Sequence, residues 1–389
     1  MIYVGIDVAK DKHDCCILDN DGDKVYPVFT IANNKAGFNE LFARIEDVTT
    51  EKAKTKVGLE ATGHYSNNLL AALVDKGFPT SVINPLHTNL YRKDQSLRKT
   101  KTDKVDASSI AMMMTDRTLK PYSNTSYHNE ELKSLTRYRF DKVHERSKLK
   151  PSLARLVNIL FPELESLVPS LHLSPVYALL EEFPGASCIA EGHLTHLKKI
   201  PEDSSHGRYS CEKAIEIRNV ARDSIGTSMA AKSMKLKHTI QLIRIISDEI
   251  AEIESRIKAI MDESTSPIMT IPGISYRMGA MILAEVGDFS RFDNADRILA
   301  YAGLSPSTYQ SGQFESSYAH MEKRGSKYLR YALFNAAKFV CKWDESFSIY
   351  LGRKIAEGKH YNVAVSHAAK KLIRTIYRME LTGEPCSLR

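Results

Sequence analysis

Four carboxylates stand where strands or a helix would fix them in place. Asp7 ends the run Val4-Gly5-Ile6-Asp7, and Glu60 ends Val57-Gly58-Leu59-Glu60. Asp103 and Asp106 lie together in Lys101-Thr102-Asp103-Lys104-Val105-Asp106-Ala107. An acid at the end of a buried strand is costly unless it meets a proton, a cation or a hydrogen-bond donor. The i, i+3 spacing sets Asp103 and Asp106 on one face of a helix. Oxygen-only donors suit hard divalent cations, and two such ions about 4 Å apart can activate a nucleophile and stabilise the leaving oxygen of a phosphodiester. A simpler reading, in which Asp103 and Asp106 cap a helix start and pair with Lys101 or Lys104, suffices for that pair alone. The two strand-end acids beside glycines tip the balance towards metal.

Basic residues crowd the same places. Arg92, Lys93, Arg98, Lys99, Lys101 and Lys104 surround the acid pair. Lys323, Arg324, Lys327 and Arg330 form a second cluster, and Lys370, Lys371, Arg374 and Arg378 a third. Any one cluster reads as a solvated helix face. Three of them, one beside a metal-type site, point to a polyanionic substrate and so to nucleic acid. The net charge of +7 is modest, and it is the distribution that informs.

Strands over 2–9, 14–19 and 24–31, with Asp21-Gly22-Asp23 as a hairpin turn, open the element order. A helix over 35–46, a strand Lys56–Ala61, a helix Asn67–Lys76, a strand Thr80–Ile83 ended by Asn84-Pro85 and a helix from Thr102 to Thr115 follow. This is the order of an RNase H-like α/β domain, placed at 1–125. A long polar helix over 128–160 and the isoleucines 243, 246, 250, 253, 257 and 260, spaced 3-4-3-4-3, predict a helical coiled-coil region at 126–265. A plain core helix explains that seam nearly as well, and it can pair with 128–160 or with the same helix of a second subunit. Residues 266–389 form a mostly helical third region, with helices Met278–Val286, Asn294–Ala302, Lys327–Val340 and Tyr361–Tyr377. Its Ile271-Pro272-Gly273-Ile274 resembles a helix-hairpin-helix turn with Ser275 in place of the second glycine, and a plain helix start fits it equally.

Other chemistry is weaker. Gly5-Ile6-Asp7 also begins sugar kinases and actin-like ATPases, but Val8-Ala9-Lys10-Asp11 lacks the glycines of a phosphate cradle. The polar loop 304–312 offers Ser305, Ser307 and Ser311 as nucleophiles, each needing activation, although a plain surface loop explains it too. His64 follows Thr62-Gly63, and a lone histidine is more often structural. The 6 cysteines have no Cys-x-x-Cys spacing, which argues against zinc and a disulfide scaffold and for a reducing cytosol. No apolar run is long enough for a membrane span, and the N-terminus reads as a strand rather than a signal peptide.

The three acid motifs together resemble the DEDD transposases of the insertion sequence 110 family. Ile271-Pro272-Gly273-Ile274, Tyr301-Ala302-Gly303-Leu304, Ser311-Gly312 and Lys323-Arg324-Gly325-Ser326-Lys327-Tyr328-Leu329-Arg330 extend the resemblance through the C-terminal region in the same order. The resemblance implies a recombinase that moves its own element. Its catalytic domain is similar to the bacterial Holliday-junction resolvase, with Mg²⁺, two ions per site, on Asp7, Glu60, Asp103 and Asp106. It further implies a serine nucleophile joined covalently to DNA, matched to Ser311 with Ser305 and Ser307 as alternatives. The implied partners are double-stranded donor and target DNA, a structured guide RNA, and a second copy of the chain in a homodimer or a tetramer on DNA. The implied location is the cytoplasm of a bacterium or archaeon, at the nucleoid. The basic residues 92, 93, 98, 99, 101, 104, 323, 324, 327 and 330 are then expected on nucleic-acid backbones, with sequence read by base pairing. Two other readings stay open: a Mg²⁺-dependent nuclease that resolves branched DNA with no covalent intermediate, and a binder with no enzymatic activity.

Overall fold

Alternation along the first strand assigns its two faces. In the computed structural model, which describes residues 1–60, 64–83, 85–95, 103–116, 119, 127–197, 199, 211–305, 310–311, 314–315 and 321–386, β1 spans Ile2–Val8. Val4, Ile6 and Val8 face one way and Tyr3, Gly5 and Asp7 the other, as the two-residue repeat of a strand demands. β2 (Lys12–Leu18), β3 (Lys24–Ala32), β4 (Thr55–Glu60) and β5 (Thr80–Ile83) complete a sheet in the order β3-β2-β1-β4-β5. The β1–β2 and β2–β3 pairs are antiparallel, and β1–β4 and β4–β5 are parallel. The β2–β3 turn is held by Asp19, whose Oδ1 accepts from the backbone N–H of Asp21 and Asp23 at 2.9 Å each.

Helices cover both faces. Leu41, Phe42 and Ile45 of α1 (Lys35–Val48) and Leu69 and Leu73 of α2 (Asn67–Asp75) pack with Val4, Ile6 and Val8. On the other face lie Tyr91 of α3 (Pro85–Gln95) and Ala107, Ile110, Ala111 and Met114 of α4 (Asp103–Asp116), with Tyr3, Cys16 and Leu18. The expected RNase H-like order of elements is thus realised as a mixed sheet in three layers. Helix α3 was not anticipated. Asn84-Pro85 reads as a stop, whereas Pro85 opens a helix, a first-turn position that needs no N–H donor.

The chain divides into two compact units, Met1–Asn124 and Thr125–Arg389. The second is helical: α5 (Tyr127–Leu160), α6 (Leu164–Leu167), α7 (Ser174–Glu182), α8 (Ala186–Glu191), α9 (Cys211–Arg222), α10 (Ala230–Asp262), α11 (Tyr276–Val286), α12 (Ala295–Ala302), α13 (Lys327–Trp343), α14 (Glu345–Ala356) and α15 (Tyr361–Thr382), with an antiparallel pair of β6 (Gln310–Ser311) and β7 (Phe314–Glu315). α5 and α10 lie antiparallel. Arg139 pairs with Glu254 and Lys142 with Glu249, both at 2.7 Å, and Arg146 Nη1 donates to Ser247 Oγ at 3.1 Å, so the partners descend as the α5 residues ascend. Ile243, Ile250, Ile253 and Ile257 of the expected seam are buried within this one chain. One core joins α5 to α10, with Leu153, Leu180 and Ile240 among its members. The other joins Leu132, Ile253 and Ile257 to the C-terminal helices.

Candidate active site

The strand register brings two of the four predicted acids side by side. Ile6 lies opposite Leu59 and Gly5 opposite Gly58. The next step beyond Ile6 and Leu59 carries Asp7 and Glu60, at the C-terminal ends of adjacent parallel strands. By alternation both share the face of Gly5 and Gly58, which is the face α4 covers. The two glycines permit that cover. A Cβ on Gly5 would lie 2.3 Å from both the Ala107 carbonyl oxygen and the Ala111 nitrogen, and one on Gly58 would lie 2.2 Å from the Met114 sulfur. Only hydrogen at these positions lets the α4 backbone rest directly on the sheet. The helix that carries Asp103 and Asp106 is therefore seated on the face of the two strand acids.

Asp106 is largely buried, and its Oδ1 receives Arg92 Nη1 at 2.7 Å, while Arg92 Nη2 donates to Asn89 Oδ1 at 2.9 Å. Arg92, read from sequence as a nucleic-acid contact, thus engages one of the acids. Lys93 is exposed. Arg98, Lys99 and Lys101 and the side chains of Asp103 and Lys104 lie outside the described residues. Among the described residues, no three His, Cys, Asp or Glu side chains stand close enough together to hold a metal ion. The donor set itself fits a hard divalent cation, because Asp7, Glu60 and Asp106 supply only carboxylate oxygens.

A further acid on this face was missed. Asp14, on β2, lies directly opposite Asp7 of β1, is almost fully buried, and accepts from the Thr30 hydroxyl. Its signal was an acid in the otherwise apolar stretch His13-Asp14-Cys15-Cys16-Ile17. Burial pushes the neighbouring Cys15 and Cys16 thiols up, so both stay protonated and inert.

In the second unit, Ser311 ends β6, opposite Phe314. The Ser311 side chain and Ser307 lie outside the described residues, and Ser305 is half-buried. The Lys-Arg-Gly-Ser element has a clear anchor. Glu285 of α11, fully buried, accepts Arg137 Nε at 2.6 Å and Nη2 at 3.0 Å, and the Ser326 hydroxyl at 2.6 Å. Ser326 also accepts from the Leu329 N–H, capping α13. Arg330 Nη1 donates to the carbonyls of Ala302 and Lys323 at 2.9 and 3.2 Å, so its guanidinium ties these two backbone positions together. Lys323, Arg324 and Lys327 remain exposed. Gly273, of the hairpin-like turn, faces α13, where an added Cβ would lie 2.7 Å from the Phe339 carbonyl oxygen.

Two family models match this chain. A transposase model of the IS110 DEDD type covers residues 4–162, and the Transposase IS116/IS110/IS902 family model covers residues 265–351. The chain belongs to the IS110 family of DEDD transposases. The transposase is similar along its full length to the pilin gene-inverting protein of Moraxella bovis, at 25% identity over 100% of this chain and 98% of that protein. It is 24% identical to the insertion element IS116 44.8 kDa protein of Streptomyces clavuligerus, over 97% of this chain and 94% of the relative. A transposase for insertion sequence element IS1111A from Coxiella burnetii is 23% identical over 87% of this chain and 78% of its own length. The transposase is accordingly a DNA recombinase. Among its described residues no helix is long and apolar enough to cross a membrane.

Proposed function

We propose that this transposase cuts and rejoins DNA strands by transesterification, with Asp7, Glu60, Asp103 and Asp106 holding Mg²⁺ and Ser311 as the nucleophile. The observation that carries the reading is the pairing of Asp7 and Glu60 at adjacent strand ends on the face where Gly5 and Gly58 admit α4. When bound, the cation would polarise the phosphodiester and offset charge on the leaving oxygen. The serine oxygen forms a bond to phosphorus as the strand's ester oxygen departs and takes a proton. The reverse step, by a strand hydroxyl, reseals the backbone without ATP. Asp14, beside Asp7, would add negative charge that favours a cation there.

The names of the Moraxella relatives support inversion or movement of a DNA segment as the outcome. A structured guide RNA is the second proposed partner. Exposed Lys93, Lys323, Arg324 and Lys327 suit contacts to phosphate backbones and carry no base-reading pattern. Copies of the chain would associate along α10, where Leu242 and Ile245 stand exposed beside the isoleucines that the chain buries itself.

The test is a denaturing gel after incubation of protein, guide and DNA with Mg²⁺. Wild type should leave DNA attached to protein, and Ser311→Ala should not, whereas Asp7→Ala and Asp106→Ala should abolish cutting. Cutting without any adduct would favour a metal-only nuclease acting on branched DNA. An adduct that persists in Ser311→Ala would remove this serine from the chemistry.

A further inference from the structure

We propose that a basic cavity along α15 binds the phosphodiester backbone of a nucleic-acid strand. The cavity, about 630 Å³, lies wholly within the second unit. His367, Lys370, Lys371, Arg374 and Arg378 line one side of it, and Glu384 to Cys386 border its end. Their spacing of three to four residues puts these cations on one stripe of a single helix. The volume falls in the range of roughly 300–1,000 Å³ common for ligand sites, enough for a nucleotide-sized segment.

Local carboxylates do not balance this charge. Arg374 reaches Asp296 at 2.9 Å and Arg378 reaches Glu384 at 3.9 Å, both as solvent-exposed pairs that contribute little. Among the described residues neither Lys370 nor Lys371 has a carboxylate within ion-pair distance. Lys371 instead rests over the Phe347 ring, 4.3 Å from its centroid, with weak contacts to Ser346. Burial and then the Arg374 charge hold the Lys370 ammonium below its usual range, and burial and then Lys370 do the same for His367. Cations crowded into a concave site repel one another, and an entering polyanion relieves the repulsion while releasing its own counterions. Tyr350 also lines the cavity, with the Lys371 ammonium 5.3 Å from its ring centroid.

The experiment uses the full chain without added metal, so failure of the acid-site chemistry would leave its result standing. Fluorescence anisotropy would follow labelled single-stranded RNA, single-stranded DNA and duplex DNA between about 50 and 200 mM salt. The triple variant Lys370→Gln, Arg374→Gln, Arg378→Gln should weaken at least one probe ten-fold or more and lower its salt slope by about two. The charge-keeping triple Lys370→Arg, Arg374→Lys, Arg378→Lys should retain the wild-type slope. A control, Arg256→Gln with Lys258→Gln on α10, removes two cations already paired to Glu252 and Asp262 and should change neither. The probe most affected identifies DNA or RNA as the strand. Unchanged affinity and slope for all three probes would overturn the proposal. So would equal loss in the charge-keeping variant.

Discussion

Arg92 and Asp106 form an ion pair at 2.7 Å, with both side chains more than three-quarters buried. A guanidinium therefore lies where a metal-bound acid would need its oxygen. In the proposed site Arg92 competes with the cation for Asp106. Arg92→Gln should tighten Mn²⁺ binding about five-fold, the equivalent of roughly 1 kcal/mol for a partly shielded pair. Calorimetric titration on the protein without DNA measures this. Unchanged or weaker binding would show that Arg92 steadies Asp106 for the metal instead.

Gly5 lets α4 touch the sheet. Gly5→Val should destabilise the fold by about 1–3 kcal/mol, because the added carbons meet backbone rather than a flexible tip. Strand cutting should fall further than stability does, since α4 carries Asp103 and Asp106. Gly352→Ala in α14, where a Cβ meets nothing within 4 Å, should be neutral or slightly stabilising. Thermal melts paired with cleavage assays test both, and a Gly5→Val protein with wild-type melting and cutting would refute the close-contact argument.

Glu285 is a buried anion with an arginine and a serine as its partners. Arg137→Ala leaves that charge uncompensated and should cost about 3 kcal/mol, the low end for such a loss because Arg137 is partly exposed. Pairing Arg137→Met with Glu285→Met should recover most of the loss. Ser326→Ala removes both a Glu285 contact and the cap of α13, for about 1 kcal/mol. Urea titration of the three variants decides; a double variant no more stable than Arg137→Ala contradicts the account.

His13 is fully buried, and neither ring nitrogen has a partner in hydrogen-bonding geometry. Burial holds its pKa below the usual value, with the Asn33 side chain and the Asp14 charge opposing in part. The unfolded chain therefore takes up a proton near pH 6.5 that the folded chain resists. The contribution is complete above that pH and is lost as pH falls below it. His13→Leu should flatten the decline in stability between pH 7 and 5. His172 and His367, also held low by burial, remain in both proteins and leave a residual slope. Identical slopes for variant and wild type would exclude His13 as the cause.

The strand acids were legible because alternation and glycines announce a buried edge. Asp14 sits on that same edge, yet its importance depends on which residue it faces across the sheet, and pairing register is a long-range property. Glu285 hid inside an apolar helix because its partners come from residues 137 and 326, far away in the chain. α14 was missed although Asp344 caps it, accepting from the Phe347 N–H at 3.0 Å, because Trp343-Asp344 follows α13 with scarcely a break. Arg92 and Arg330 read as free cations, and only tertiary contacts show that a carboxylate and two carbonyls hold them.

Ile243, Ile250, Ile253 and Ile257 are already sheathed by their own chain, so a second molecule could reach them only by prising the monomer open. A copy arriving along this helix would find Leu242 and Ile245 waiting at the water boundary, about half exposed at 49% and 55%. Folding and assembly can thus draw on different rungs of one rod, and a lesion in either set need not undo the other.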